Sequence, residues 1–330
     1  MYLSLGPIVR LMTRGLFTDI QSHPEWDEFY YPTRGSVIEA KFWLANIDEK
    51  NGYAIKPNPV TSQIIFTDAS NHGYGGYLLQ RLGKVICQGK FESHQQATSS
   101  TERELLAIQN CLVSFAQLIR HEAVNIRTDN FAASRILEIG SPKPHLQKIA
   151  IQIFEVCVKN DVKISPSRIP RDSNQIADYY SKIVDTDDWS VDNGTFQKIC
   201  KEFGHPSVDR FADNLNAKVT QFNSKFHCPG SSAVNAFTQD WADASLNWLC
   251  PPIKHISSIN HLRICQARGI LIIPQWPSSH FWPIIHSGLS FEHYIKKYLI
   301  LRPYFTTQCN HSIFNGFVDF NTLALLIDFS

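Results

Sequence analysis

The sequence predicts two α/β domains behind a helical lead-in, the first built on a mixed sheet with helices packed against it. Three observations carry this. Apolar runs with hairpin punctuation come first, between residues 61 and 92; strands and helices then alternate as far as residue 185; and a second set of short apolar strands follows an acidic, polar break. A chain of 330 residues, 43% hydrophobic and 18% charged, is long enough to bury a core in each domain.

Over residues 1–59 the pattern is helical. Ile8, Leu11 and Met12 recur at helical spacing, and Val37, Phe42, Trp43, Leu44 and Ile47 form a second amphipathic stretch that ends at Asn51-Gly52. Pro57 and Pro59 then mark a linker. Residues 60–185 make the next domain. Residues 63–66 are an apolar strand, Gly73, Gly75 and Gly76 punctuate the turn into a strand at 77–80, and 84–92 continue as a third. Ser100-Thr101 precede a helix over 102–118 whose acidic first turn suits the helix dipole. A strand at 124–127, helices at 131–138 and 145–158, a strand at 162–169 and a helix at 173–183 complete this domain. The polar run 185–194 reads as a boundary. Within the last domain, 195–330, the apolar runs at 208–211, 248–250, 269–274 and 323–329 read as strands separated by helical segments.

A formal net charge of +1 excludes a generally basic nucleic-acid coat, so phosphate contacts must come from local patches such as Lys163, Arg168 and Arg171. The eight cysteines are scattered without zinc-ligand spacing and read as reduced, buried small hydrophobes. Arg10 and Arg14 interrupt the apolar start, and no stretch approaches the roughly 20 apolar residues that span a bilayer. The expectation is an intracellular protein that is neither secreted nor membrane-bound.

Four carboxylates stand in the order Asp, Glu, Asp, Asp, each inside a local pattern: Ile64-Ile65-Phe66-Thr67-Asp68-Ala69-Ser70, Glu102-Arg103-Glu104-Leu105-Leu106-Ala107-Ile108, Ile126-Arg127-Thr128-Asp129-Asn130 and Asn174-Gln175-Ile176-Ala177-Asp178. Asp68 closes a central strand, Glu104 crosses on a helix, Asp129 ends the next strand and Asp178 comes in on the last helix. Hard oxygen ligands suit magnesium or manganese, and clustered carboxylates repel one another unless cations lie between them.

On these motifs residues 61–182 resemble the ribonuclease H domain of a retroelement reverse transcriptase. The resemblance implies a ribonuclease H-like mixed sheet, an RNA–DNA hybrid as substrate, and two Mg2+ or Mn2+ ions: Asp68 bridging both, Glu104 and Asp129 on one, Asp178 on the other. Glu104 is preferred over Glu102 because it directly precedes Leu105-Leu106-Ala107; Glu102 is read as a first-turn helix acid. Ser70 and Asn71 are candidates for the RNA 2′-hydroxyl, and Arg168 and Asn174 for substrate contact. Family members usually carry a histidine before Ile-Pro in the loop ahead of the last helix. This chain has Arg168-Ile169-Pro170-Arg171. Arginine can hold a phosphate but cannot shuttle a proton near neutral pH, which implies slow turnover.

The flanks resemble other parts of a DIRS-like retroelement, the kind that uses a tyrosine recombinase. Residues 1–58, through Leu5-Gly6-Pro7 and Lys41-Phe42-Trp43-Leu44-Ala45-Asn46, resemble a thumb and connection remnant. Nothing in the chain is read as the polymerase's Asp-Asp metal motif, so polymerase activity is not expected, and the polymerase and recombinase would be partners from the same polyprotein. Residues 196–330 resemble a Rossmann-like methyltransferase-type module similar to phage-type adenine-N6 enzymes, through Val208-Asp209-Arg210-Phe211-Ala212 and Asn247-Trp248-Leu249-Cys250-Pro251-Pro252-Ile253. That class places an Asp or Asn before Pro-Pro and a stacking aromatic after it. Cys250 and Ile253 stand there instead, so methyl transfer is not expected. The alternative reading of the whole chain is a non-catalytic, hybrid-binding or scaffolding relic.

Overall fold

The apolar run Ile64-Ile65-Phe66 opens β1 (Gln63–Ala69), the middle strand of a five-stranded sheet. With β2 (Gly73–Gln80), β3 (Gly83–Lys90), β4 (Ala123–Thr128) and β5 (Lys163–Arg168) the order is β3-β2-β1-β4-β5. The first three strands pair antiparallel, and β4 and β5 run parallel to β1. This is from the computed structural model, which describes residues 8–23, 25, 27, 29–50, 60–81, 83–183, 188–307 and 312–330. Leu5-Gly6-Pro7, the helix stop at Asn51-Gly52, the linker prolines Pro57 and Pro59, Asp185 and Cys309 fall outside those residues. The chain divides into two units, residues 1–183 and 184–330.

Gly73, Gly75 and Gly76 lie within β2 rather than in a turn. None of the three has positive φ, so the backbone does not demand glycine there; proximity does. A Cβ on Gly75 would stand 2.2 Å from the Ser181 nitrogen, and one on Gly76 would stand 2.5 Å from the Cys111 sulfur. Neighbouring strand residues point to opposite faces. The helix Gln175–Lys182 therefore covers one face of the sheet and the helix Ser100–Ser114 the other. Leu105, Ile108, Cys111 and Leu112 bury the second helix against Ile65 and Leu78, all at 1% exposure or less. Phe66, Tyr77 and Ala177 pack together under the first. The helix expected over 102–118 breaks at Phe115, and Ala116–Ile119 form a separate turn. Helices Phe131–Ile139 and Pro144–Lys159 connect β4 to β5.

The lead-in helices Ile8–Leu11, Arg14–Ser22 and Arg34–Lys50 belong to the same unit as this sheet. Buried Glu39 caps the second of them, accepting from the Gly15 and Leu16 N–H groups at 2.8 and 2.9 Å. Trp43 Nε1 donates to the Met12 carbonyl at 2.7 Å, and Gln147 Nε2 to that of Leu11 at 2.6 Å. Orphan helix-end groups are thereby satisfied by side chains from elsewhere in the unit.

In the second unit β6 (Ser190–Val191) comes first, and the Asp192 side chain caps the helix Asn193–Phe203 by accepting from Thr195 N–H at 3.0 Å. The polar run expected as a boundary thus ends in a strand and a helix start. Next come β7 (Val208–Asp209), β8 (Asn223–Ser224), β9 (Ala233–Val234), β10 (Asn247–Leu249), β11 (Arg268–Pro274), β12 (Ile295–Leu301), β13 (Tyr304–Thr306), β14 (Gly316–Phe317) and β15 (Thr322–Asp328). The main sheet is β12-β15-β11-β10-β7, with β7, β10 and β11 parallel and β15 antiparallel to β11. Ile270, Ile272, Ala324 and Leu326 enter one core, while Leu271, Ile273, Leu323, Leu325 and Ile327 enter another. Burial of both faces explains why these strands read as unbroken apolar runs. β12, at the edge with Lys296 and Lys297 exposed, escapes that pattern and was not among the expected strands. Lysines at an exposed edge also discourage pairing with other chains.

Trp241, Trp248 and Phe281 are fully buried. Trp276 and Trp282 pack partly buried beside them. The seven described cysteines are thiols, all buried except Cys265. Among the described residues no helix is long and apolar enough to cross a membrane.

Candidate metal centre

Asp68 is delivered by the carboxyl end of the central strand, on the face covered by Gln175–Lys182, and is 7% exposed. Ser181 on that helix donates its hydroxyl to Asp68 Oδ2 at 2.8 Å. Glu104 comes from the opposite side, early in Ser100–Ser114, whose start is set by Ser99 Oγ accepting from Glu102 N–H at 3.2 Å. Its carboxylate accepts from the Ala69 backbone N–H and, at 3.3 Å, from the Thr128 hydroxyl. Asp129 follows β4 directly. Asn130 then caps Phe131–Ile139, accepting from Ala133 N–H at 3.0 Å. The three residues Thr128-Asp129-Asn130 therefore divide the work: the first steadies Glu104, the second contributes a carboxylate, and the third starts the next helix.

One carboxylate oxygen from each of Asp68, Glu104 and Asp129 lies within 4.8 Å of the others. Burial pushes the Asp68 carboxyl up, the Ser181 hydrogen bond opposes this, and the charges of Asp129 and Asp178 add to it. Glu104 is pushed up to about 9, by burial first and then by the charges of Asp68 and Asp129. Among the described residues none of the three acids forms an ion pair with lysine or arginine. An all-oxygen, mutually repelling set of this kind fits a hard divalent cation.

Asp178 is not in that cluster. Its two oxygens each accept from Lys182 Nζ at 2.6 Å. Ser70 is half-buried, its hydroxyl donating to the Ser181 carbonyl at 2.7 Å while accepting from Gly73 N–H at 3.0 Å. Exposed Asn71 accepts from an Arg103 guanidinium nitrogen at 2.9 Å. Asn174 is 1% exposed and donates to the Thr67 carbonyl at 2.9 Å, tying the loop before the last helix to β1. Arg168 is exposed at the end of β5, paired in register with Thr128 beside Asp129. Glu102 sits in its helix's first turn, 3.8 Å from His145 Nε2. Thr128 and Ser181 fall inside motifs that the sequence shows, but their supporting roles are not legible there. Thr128 directly precedes Asp129 and Ser181 lies one turn after Asp178, so a hydroxyl next to a candidate ligand was the available signal.

Residues 58–156 match the family described as an RNase H-like domain found in reverse transcriptase. Over those residues the chain carries an RNase H-like domain, in a mixed α/β sheet with flanking helices. Among solved structures, RNase H1 from the halophilic archaeon Halobacterium salinarum NRC-1 is 19% identical, aligned over 36% of this chain and 92% of that one, with a TM-score of 0.31. The N-terminal RNase H domain of rv2228c from Mycobacterium tuberculosis is 15% identical over 36% and 94%, with a TM-score of 0.31. LC11-RNase H1, isolated from compost by a metagenomic approach and solved in complex with an RNA/DNA hybrid, is 18% identical over 36% and 93%, with a TM-score of 0.28. No curated protein matches the chain.

The buried acid makes the metal-free protein sensitive to alkali. Glu104 keeps its proton up to about 9 when folded, against an ordinary value of 4.5. Between these values the folded state binds one proton more than the unfolded state. Its contribution to stability is complete below the lower value and is lost as pH rises toward the upper, by up to about 1.4 kcal/mol per pH unit. Thermal melts in chelator from pH 5 to 9 should show a falling Tm, and Glu104→Gln should flatten the decline. Parallel profiles for wild type and variant would show that Glu104 is not the group responsible.

Proposed function

We propose that this chain hydrolyses the RNA strand of RNA–DNA hybrids with divalent ions, as part of a DIRS-like retroelement polyprotein. The observation that carries the proposal is the meeting of Asp68 and Asp129, from the ends of two neighbouring parallel strands, with Glu104 from the helix Ser100–Ser114, inside a segment matching the RNase H-like family. Asp68, Glu104, Asp129 and Asp178 would hold two ions, magnesium or manganese, which when bound supply Lewis-acid chemistry at a phosphodiester. Ser181 and Thr128 keep Asp68 and Glu104 oriented through their hydroxyls. Arg168 offers a guanidinium to a phosphate near Asp129, and Asn71 an exposed amide to a ribose hydroxyl. Ser70 and Asn174, whose side chains are engaged internally, serve the substrate by fixing the β1–β2 hairpin and the loop before the last helix. Turnover is slow because Arg168 cannot relay protons.

The rival is hybrid binding without cleavage, favoured by Arg168 and by the lysine on Asp178. Cleavage and binding of a labelled hybrid, each measured with and without magnesium, decide between them. Magnesium-dependent cleavage supports the hydrolase; binding with no cleavage supports the rival.

The segments 1–59, 60–185 and 195–330 are taken as the thumb remnant, the nuclease and a methyltransferase-type module without methyl transfer. Cys250 is 4% exposed with Sγ 3.5 Å from the Trp189 carbonyl, and Ile253 packs into both cores. Neither side chain is placed to bind or stack on a base. Incubation with labelled S-adenosylmethionine and single- or double-stranded DNA should give no N6-methyladenine above background. Methylation that disappears on Pro251→Ala would overturn this.

A further inference from the structure

Asp178 differs from the rest of the quartet in being held by cations. Lys182, one turn along the same helix, reaches both carboxylate oxygens at 2.6 Å, and Arg171 approaches Oδ1 at 4.0 Å. Asp68, Glu104 and Asp129 share a cluster that Asp178 does not enter. Between Asp178 and Lys182 lies Ser181, the residue that anchors Asp68, so one helical turn touches both the cluster and the fourth acid. The Lys182 charge also offsets part of the repulsion felt by Asp68.

From this geometry we infer that Lys182 is a built-in competitor for the second metal: it occupies Asp178, so the chain holds one divalent ion firmly and a second only when the lysine swings away. The inference rests on reading the four acids as metal ligands. An ammonium cannot share a carboxylate with a dication at close range without strong repulsion. The pair is nevertheless built to open. Its side chains are 55% and 29% exposed, exposed pairs are weak, and the flexible lysine stem lets its strongly hydrated charge move into water. Lys182 thus acts through Asp178, as a positioning residue that sets metal stoichiometry.

The test is calorimetric titration of the full chain with Mn2+ alone, with circular dichroism verifying the fold of every variant. Wild type should bind one ion tightly and a second more weakly. Lys182→Met should tighten the second at least about fivefold and leave the first unchanged. Lys182→Arg, which keeps the charge, should retain the wild-type pattern, and adding Asp178→Asn to Lys182→Met should remove the gain. If Lys182→Met leaves the second affinity unchanged or weaker, the inference is overturned. A different result addresses the underlying reading: if Asp68→Asn leaves Mn2+ binding as in wild type, the acids are not the metal centre at all.

Discussion

Asp68→Asn should reduce magnesium-dependent cleavage of an RNA–DNA hybrid by on the order of a thousandfold or more, the scale on which a central electrostatic contributor counts, with the fold intact. Asp68 lies near the end of the central strand, shares the cluster with Glu104 and Asp129, and feels the charge of Asp178 as well, so it is the acid proposed to serve two ions. An amide of the same shape can still accept from the Ser181 hydroxyl, which now meets Oδ2 at 2.8 Å. Removing the charge also relieves its repulsion with Asp129 and Asp178. The metal-free variant should therefore melt slightly higher than wild type while losing activity. Wild-type cleavage by a folded Asp68→Asn chain would end the metal-centre assignment.

Gly75→Ala should cost about 3 kcal/mol or more of stability, at the upper end of what overpacking does. A Cβ there would meet the Ser181 nitrogen at 2.2 Å, the Tyr180 carbonyl carbon at 2.4 Å and the Ala177 oxygen at 2.6 Å. All three are backbone atoms of the helix bearing Asp178, so no side chain can turn aside; the helix itself must lift from the sheet. Because that helix carries the Ser181 contact to Asp68, cleavage should fall along with stability. Gly35→Ala is the control, since its nearest new neighbour would be the Thr33 hydroxyl at 3.8 Å, and alanine in a helix is neutral or better. Chemical denaturation of both variants checks this, and an unchanged midpoint for Gly75→Ala would mean that the close helix–strand approach is wrong.

Local pattern was enough to order the elements around the site. An apolar run ending two residues before Asp68, an alternating strand pattern ending just before Asp129, and a helix start two residues before Glu104 each state where a carboxylate leaves its element. In the second unit the long central strands were legible for a related reason: strands buried on both faces, such as β11 and β15, read as continuous apolar runs. The edge strand β12 was not, because its exposed lysines break the run.

The glycines of β2 show where such reading stops. Glycine in a turn and glycine under a helix look alike in sequence, and only the absence of positive φ together with the distance to Ser181 separates them. The metal centre divides in the same way. That Asp68, Glu104, Asp129 and Asp178 form one set was an expectation read from their order and their motifs. That three of them converge while the fourth is held by Lys182, and that Ser181 reaches Asp68 across 113 positions of chain, was decided by packing. Hydrogen bonds and ion pairs are settled by distances of a few tenths of an ångström between elements, and a one-dimensional pattern carries spacing along the chain but no distance across it.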